Sequence, residues 1–279
     1  MKIIKVFKNL DCTKMLLKLD DGYVIENCFK YPFWMCITSQ VGCPIGCHFC
    51  HSGKNGFKRD LTTKEMMDQI IIAIEYSIGN FTYDYMFSTI SFTGMGEPLL
   101  NVTSVVEVIR ELQAKTNVEI SLTTTGILNN IQKLFFTKKK IAIDISMHSL
   151  DPNKRKLLIP TETKYPIEST IQYMLKNINR FQKISFDYLL LQGINDSLED
   201  LLLLISSFKK TNIHIELKRY NRLNENDTLK ASTEEVFSFF YKNLKKHGIT
   251  ASIEENVGIE FNAGCGQLVW SYYETLNKE

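Results

Sequence analysis

The sequence predicts an α/β fold: a partial, TIM-like (β/α)6 barrel with a short N-terminal β-hairpin extension. Three observations lead there. Strand-like apolar runs alternate with helix-like segments from residue 34 onward, and such alternation implies right-handed crossovers and a parallel sheet. Polar and glycine residues gather at the C-terminal ends of those strands, where barrel active sites sit. No linker rich in Pro, Gly or Ser divides the 279 residues. Residues 1–30 therefore read as a β extension packed on a single structural domain, residues 31–279.

In order, residues 3–8, 14–19 and 22–27 are short strands, with Asp20-Asp21-Gly22 as the hairpin signal. Glu26 lies near the end of the third, where an exposed edge glutamate is the plainest reading. Trp34 to Ser39 is a buried strand that leads into a cysteine-rich loop. Two glycines in His51-Ser-Gly53-Lys-Asn-Gly56-Phe57 permit tight turns. Thr62-Thr-Lys-Glu65 is a capping box that opens a helix to about residue 79. Residues 84–93 form the second barrel strand, followed by Gly94-Met-Gly96-Glu97-Pro98, where the backbone can approach a bound molecule and Glu97 can meet an amino group. A helix at 102–114 and a strand at 118–124 follow, the strand closing on Thr123-Thr-Thr125-Gly126. A further helix leads to the strand Ile141–Ser146, which ends at Met147-His148-Ser149. The pattern repeats as helix 167–180, strand 183–191, a cap at Gly193–Ser197 with helix 197–208, strand 213–219 ending near Asn221, and helix 233–246.

Composition excludes some classes. The chain is 44% hydrophobic and 23% charged, ordinary for a soluble enzyme. No apolar run reaches the roughly 18 residues of a membrane span, and the charges of Met1–Lys8 interrupt any signal-peptide core. A cytoplasmic protein without a membrane partner is expected. Seven cysteines, three of them clustered, argue against a secreted disulfide scaffold. A net charge of +2 gives no support to a nucleic-acid partner and does not exclude a local patch. Lys138–Lys140, Lys209-Lys210 and Lys245-Lys246 read as solvated helix ends; the alternative is a groove that contacts phosphate.

The chemistry centres on Cys43-Pro-Ile-Gly-Cys47-His-Phe-Cys50. Three thiolates on one short loop suit iron–sulfur or zinc. Zinc needs a fourth ligand, which His48 or His51 can supply. A four-iron cluster held by three thiolates keeps one iron open for a small molecule. Near the C-terminus, Cys265 stands between Gly264 and Gly266. Glycine flanks point to an accessible thiolate, against the alternative of a buried structural cysteine.

The C-x3-C-x2-C spacing with Phe49 before its last cysteine resembles the radical S-adenosylmethionine superfamily. Cys36–Cys43, Gly53–Phe57, Leu61–Thr63, Gly94–Asn101, Ser146–His148 and Ala263–Leu268 together are similar to one family in it, the dual-specificity and antibiotic-resistance adenine methyltransferases. The resemblance covers nearly the whole chain. It implies that Cys43, Cys47 and Cys50 hold a [4Fe-4S] cluster whose open iron chelates S-adenosylmethionine. Gly96 and Glu97 would bind the methionine amine; Thr123 (usually serine in the family), Ser146, Met147, His148 and Asn221 would complete that pocket. Cys265 would be the methyl-carrying cysteine, Cys36 its partner, and Glu26 an aid to proton transfer. Two departures stand out: the family's N-terminal accessory domain of roughly eighty residues is missing from this sequence, and Val257 replaces the usual arginine.

The activity implied is methylation of C2 or C8 of an adenine in ribosomal or transfer RNA, with flavodoxin or ferredoxin as electron donor. Such a carbon is a poor nucleophile, so in that family the cysteine takes a methyl from one S-adenosylmethionine and a 5′-deoxyadenosyl radical from a second removes a hydrogen from it. The methylene radical adds to the ring, and Cys36 helps break the crosslink, leaving a Cys36–Cys265 disulfide. Three rivals are the same chemistry on a small heteroaromatic molecule or peptide, a cluster-binding regulatory protein without turnover, and a zinc-binding structural module.

Overall fold

Strand β1 (Lys2–Lys8), β2 (Thr13–Lys18) and β3 (Val24–Lys30) run antiparallel, and β3 pairs antiparallel with β4 (Trp34–Cys36). The computed structural model describes residues 1–54, 56–222, 227–254 and 267–276. β5 (Gln40–Val41) and β6 (Arg59–Asp60) make a small ribbon that brackets the cysteine loop. From β4 onward the large sheet is parallel, in the order β4, β7 (Thr89–Phe92), β8 (Glu119–Thr124), β9 (Ala142–Ser146), β10 (Lys183–Leu189), β11 (His214–Lys218) and β12 (Thr250–Ile253). The crossovers carry helices α1 (Thr63–Ile78), α2 (Val102–Lys115), α3 (Leu128–Ile131), α4 (Pro152–Leu158), α5 (Ile167–Lys176), α6 (Leu198–Phe208) and α7 (Glu234–Lys246); α8 (Gln267–Leu276) follows β12.

Alternation along each parallel strand sorts the side chains. Met35, Ile90, Leu122, Ile145, Phe186 and Leu217 point to the helices and are 1% exposed or less. Phe186 meets Phe208 of α6, and Tyr188 meets Phe240 of α7. The other face carries Cys36, Ser91, Ser121, Thr123, Ser146 and Asp187, a polar wall on the side away from the helices.

Local chemistry accounts for the helix starts. Thr62 and Glu65 make both bonds of a capping box, at 3.1 and 2.9 Å, and Ser197 and Asp200 repeat it for α6. Asp151 accepts from the N–H groups of Asn153 and Lys154, with Pro152 opening α4. This helix, α8 and the seventh parallel strand β12 were not among the expected elements. β7 is shorter than expected because Tyr83–Tyr85 turns as a 3-10 helix and Ser88 N–H bonds Pro32 C=O, so pairing starts only where β4 does. The expected helix 167–180 breaks after Lys176 into a 3-10 turn, Ile178–Arg180.

The three lysine clusters are exposed and precede β9, β11 and β12. They therefore sit at the strands' N-terminal ends, opposite the end that carries the glycine and polar turns. Among the described residues no helix is long and apolar enough to cross a membrane.

Candidate active site

The polar wall encloses a cavity of about 630 Å3. Cys36, Glu26 and Cys50 line it, and so do Thr123, Ser146, His148 and Asn221. Seven of the residues singled out from sequence are thus brought to one space by six different segments. Gly96, Glu97, Met147, Cys43 and Cys47 are not in its wall. Cys265 and Val257 lie outside the described residues.

The cysteine loop follows β5. Burial lifts the Cys43 thiol to about 12 and the Cys47 thiol well above its ordinary range; in both the charge of Cys50 adds to the shift. The three thiols are therefore within electrostatic reach of one another. His48 donates its N–H to Leu158 C=O at 3.0 Å, and its Nδ1 meets Leu157 C=O. His51 is buried beside Lys54, 3.1 Å from Nε2 to Nζ, and burial lowers its pKa to about 4. Among the described residues no three His, Cys, Asp or Glu side chains converge tightly enough for one metal ion. A four-iron cluster asks for less convergence, because its cysteines bind different irons.

Helix α4 anchors this region. Arg155, 1% exposed, donates from Nε to Met147 C=O at 3.0 Å, and from Nη2 to Thr125 C=O at 2.8 Å and Ser146 C=O at 3.1 Å. Its Nη1 pairs with Glu162. One guanidinium thus gathers the turns after β8 and β9, and its charge acts on Cys47. Planar donors in a fixed fork suit such a task better than an ammonium.

The glycines after β7 have a structural reason. A Cβ on Gly94 would lie 2.6 Å from Ile37 C=O, and Gly96 has φ +105° with Gln40 Cβ 2.7 Å from its own Cβ position. The turn packs on the chain's own segment leading to the cysteine loop. The Glu97 carboxylate is buried; it accepts from Thr124 Oγ1 (2.6 Å), Thr125 N–H (2.8 Å), Thr125 Oγ1 (3.0 Å) and Leu99 N–H (3.1 Å). It holds the turn immediately behind Thr123.

His148 has φ +56°. Its Nδ1 accepts from Leu189 N–H at 3.1 Å, which leaves the proton on Nε2. Burial, then the charges of Arg155 and Lys218, lower its pKa to about 3, so the ring is neutral. Its ring also stands edge-on to Phe49, centroids 4.7 Å apart. Asn195 fixes the segment by donating to His148 C=O at 2.5 Å and Leu189 C=O at 2.7 Å.

Glu26 is buried, not an exposed edge residue. Its Oε1 is 2.9 Å from Lys14 Nζ, and its Oε2 accepts from Val269 N–H of α8 at 2.9 Å. Cys36, whose thiol burial pushes up, stands directly across the β3–β4 ladder from Cys28. Sequence reasoning missed Lys14, Cys28, Asp187 and Lys218, all in the cavity wall. Lys218 lies 2.9 Å from Glu254, 3.2 Å from Glu216 and 3.7 Å from Asp187. Burial pushes the Asp187 carboxyl well above its usual range, and among the described residues its Oδ1 has no hydrogen-bond partner. For Lys218 the available signal was the alternation His214-Ile-Glu216-Leu-Lys218 within its strand.

The model of the radical SAM superfamily matches residues 37–205. The chain is 34% identical over 291 residues to a probable dual-specificity RNA methyltransferase RlmN of Clostridium beijerinckii, covering all of this chain and 80% of the relative. A protein of the same description from Lachnospira eligens is 35% identical, with 95% and 76% covered. Among solved structures, a radical SAM methyltransferase from Sphaerobacter thermophilus superposes with a TM-score of 0.87 at 26% identity, over 95% of this chain and 80% of that one. The chain belongs to the radical SAM superfamily and, within it, to the S-adenosylmethionine-dependent methyltransferase family of these relatives.

Proposed function

We propose that this protein methylates a ring carbon, C2 or C8, of an adenine in RNA, with Cys265 as the methyl-carrying thiol and Cys36 as the thiol that releases product. The observation that carries the reading is the shared cavity: Cys36, Glu26, Cys50 and the residues after β9 and β11 all line it, and so does Gln267, two residues after Cys265. RNA as acceptor rests on the relatives, which are described as RNA methyltransferases.

Cys43, Cys47 and Cys50 fit a [4Fe-4S] cluster: three soft donors on one loop, mutually close, with Cys50 facing the cavity. That cluster, when bound, supplies the electron that cleaves S-adenosylmethionine, with a flavodoxin or ferredoxin as donor. The chain's own residues position and shield. His148 offers a neutral Nε2–H donor, and Ser146, Thr123 and Asn221 offer polar contacts along the same wall. Glu97, through the Thr124–Thr125 turn, sets where Thr123 stands, and Gly96, through close packing on Gln40, lets the turn after β7 lie against the segment leading to the cysteine loop. Met147 is fully buried and serves through its backbone, which Arg155 and Asp187 hold. Glu26, paired with Lys14, lines the same cavity as Cys36 and is the group proposed to assist proton transfer there.

A second reading keeps the chemistry and changes the acceptor to a small heteroaromatic molecule or peptide. The placement of all three lysine clusters at the far end of the strands favours it. Nucleoside mass spectrometry of host RNA with and without the gene decides: loss of a methyladenosine on deletion supports RNA, and unchanged RNA alongside active S-adenosylmethionine cleavage supports the other acceptor.

A further inference from the structure

We infer that Lys14 and Glu26 form a buried clamp that holds the first turn of α8 at the cavity wall, which makes Lys14 a positioning residue for the reaction. Its purpose, though not its existence, rests on the proposed function, because Cys265 is two residues before Gln267 in the sequence.

The clamp joins three groups: an ammonium, a carboxylate and a helix N–H. The Lys14 ammonium lies 2.9 Å from one oxygen of Glu26, their side chains 1% and 4% exposed. The other oxygen accepts from Val269 N–H at 2.9 Å. Val269 is the third residue of α8, and the N–H groups of a helix's first turn have no acceptor within the helix. The helix start carries partial positive charge, so a carboxylate is the favoured partner. Lys14→Met would remove the ammonium 2.9 Å from that carboxylate and, with it, the ion pair that orients Glu26 toward Val269.

The surroundings make this a fixed point. Glu26 C=O accepts from Thr38 Oγ1 at 2.6 Å, which ties β3 to the chain beyond β4. Gln267 Nε2 donates to Asn221 C=O at 2.7 Å, and Tyr273 Oη accepts from Val24 N–H at 3.1 Å. Helix α8 is thus pinned along β3 and against the segment after β11. A buried ion pair is a weak source of stability, since apolar residues pack such a space as well. What this pair adds is the bond to α8. Lys14, Glu26 and Gln267 all face the same cavity as Cys36.

The test separates the clamp from general stability. Proline is accepted in a first helical turn, so Val269→Pro deletes the N–H given to Glu26 and no bond within the helix. Val269→Ala controls for the lost side chain, which is 3% exposed. In the reduced, cluster-loaded enzyme without S-adenosylmethionine, two rates are read by mass spectrometry: amide exchange across 270–276, and alkylation of Cys265 by iodoacetamide. Val269→Pro and Lys14→Met should each raise both rates by about tenfold or more, the scale of one lost charge-assisted hydrogen bond. Lys14→Arg should restore slow rates, and amides of α1 should not change in Val269→Pro. Equal rates in Val269→Pro and Val269→Ala overturn the clamp, whether or not Lys14→Met folds. Alkylation needs no methyl transfer, so failure of the proposed chemistry leaves this result readable.

Discussion

Replacing Arg155 with methionine removes the group that joins the turns after β8 and β9 to α4. Three carbonyls, Met147, Thr125 and Ser146, lose donors that stand 2.8 to 3.1 Å away. Glu162 is left as a buried carboxylate whose remaining hydrogen-bond partner among the described residues is the N–H of Ile167 at 3.1 Å. Breaking a buried pair from one side costs about 3–5 kcal/mol. That is a large part of the roughly 5–15 kcal/mol by which a protein is stable. Urea unfolding of wild type, Arg155→Met and Arg155→Met/Glu162→Leu measures it. The single variant should lose about 3–5 kcal/mol, and the double should recover part of it, because no bare charge remains. Recovery should be incomplete, since Glu162 also caps the start of α5. Cofactor affinity should fall with stability, because Ser146 and Thr123 flank the turns that loosen. A single variant within about 1 kcal/mol of wild type, the scale of an exposed pair, would refute the buried-anchor account.

Gly94→Ala drives a Cβ to 2.6 Å from Ile37 C=O; it should cost about 1–3 kcal/mol by chemical denaturation, and a neutral result contradicts the close packing. His148 stays neutral in the fold down to about pH 3, whereas the unfolded chain binds its proton near pH 6.5. The stability it contributes is therefore present above pH 6.5 and lost as pH falls toward 3. The gap between wild type and His148→Asn should narrow by about 1.4 kcal/mol per pH unit below pH 6, and a constant gap counts against burial of a neutral ring. Anaerobically purified protein should be brown with about four irons per chain, and alanine at Cys43, Cys47 or Cys50 should abolish S-adenosylmethionine cleavage. Colourless protein with stoichiometric zinc contradicts the assignment.

The strands that build the cavity were legible because their apolar face alternates with Ser, Thr and Cys, a period that survives in the sequence. The capping boxes at Thr62 and Ser197 were legible for the same reason: the motif is local. What stayed hidden depends on distant partners. Arg155 looks like one more charge in Asn-Lys-Arg-Lys, yet its burial is set by carbonyls from two other turns. Helix α4 itself carried a readable signal in Asp151-Pro152. Helix α8 was obscured by Val269, Trp270, Tyr272 and Tyr273, residues that favour strands as readily. Glu26 looked like an exposed edge position, but β3 is flanked by β2 and β4, and one of its partners, Val269, is 243 positions away.

The central claim is a two-cysteine methyl transfer to an adenine in RNA. Its most direct measurement is the intact mass of the Cys36→Ala variant, isolated from cells or incubated with RNA and S-adenosylmethionine under reduction. Cys265 should still carry its methyl-derived carbon, and the variant should accumulate as a covalent complex with an RNA adenosine that it cannot release. Full turnover by Cys36→Ala, or active wild-type protein with Cys265 never methylated, would contradict the claim.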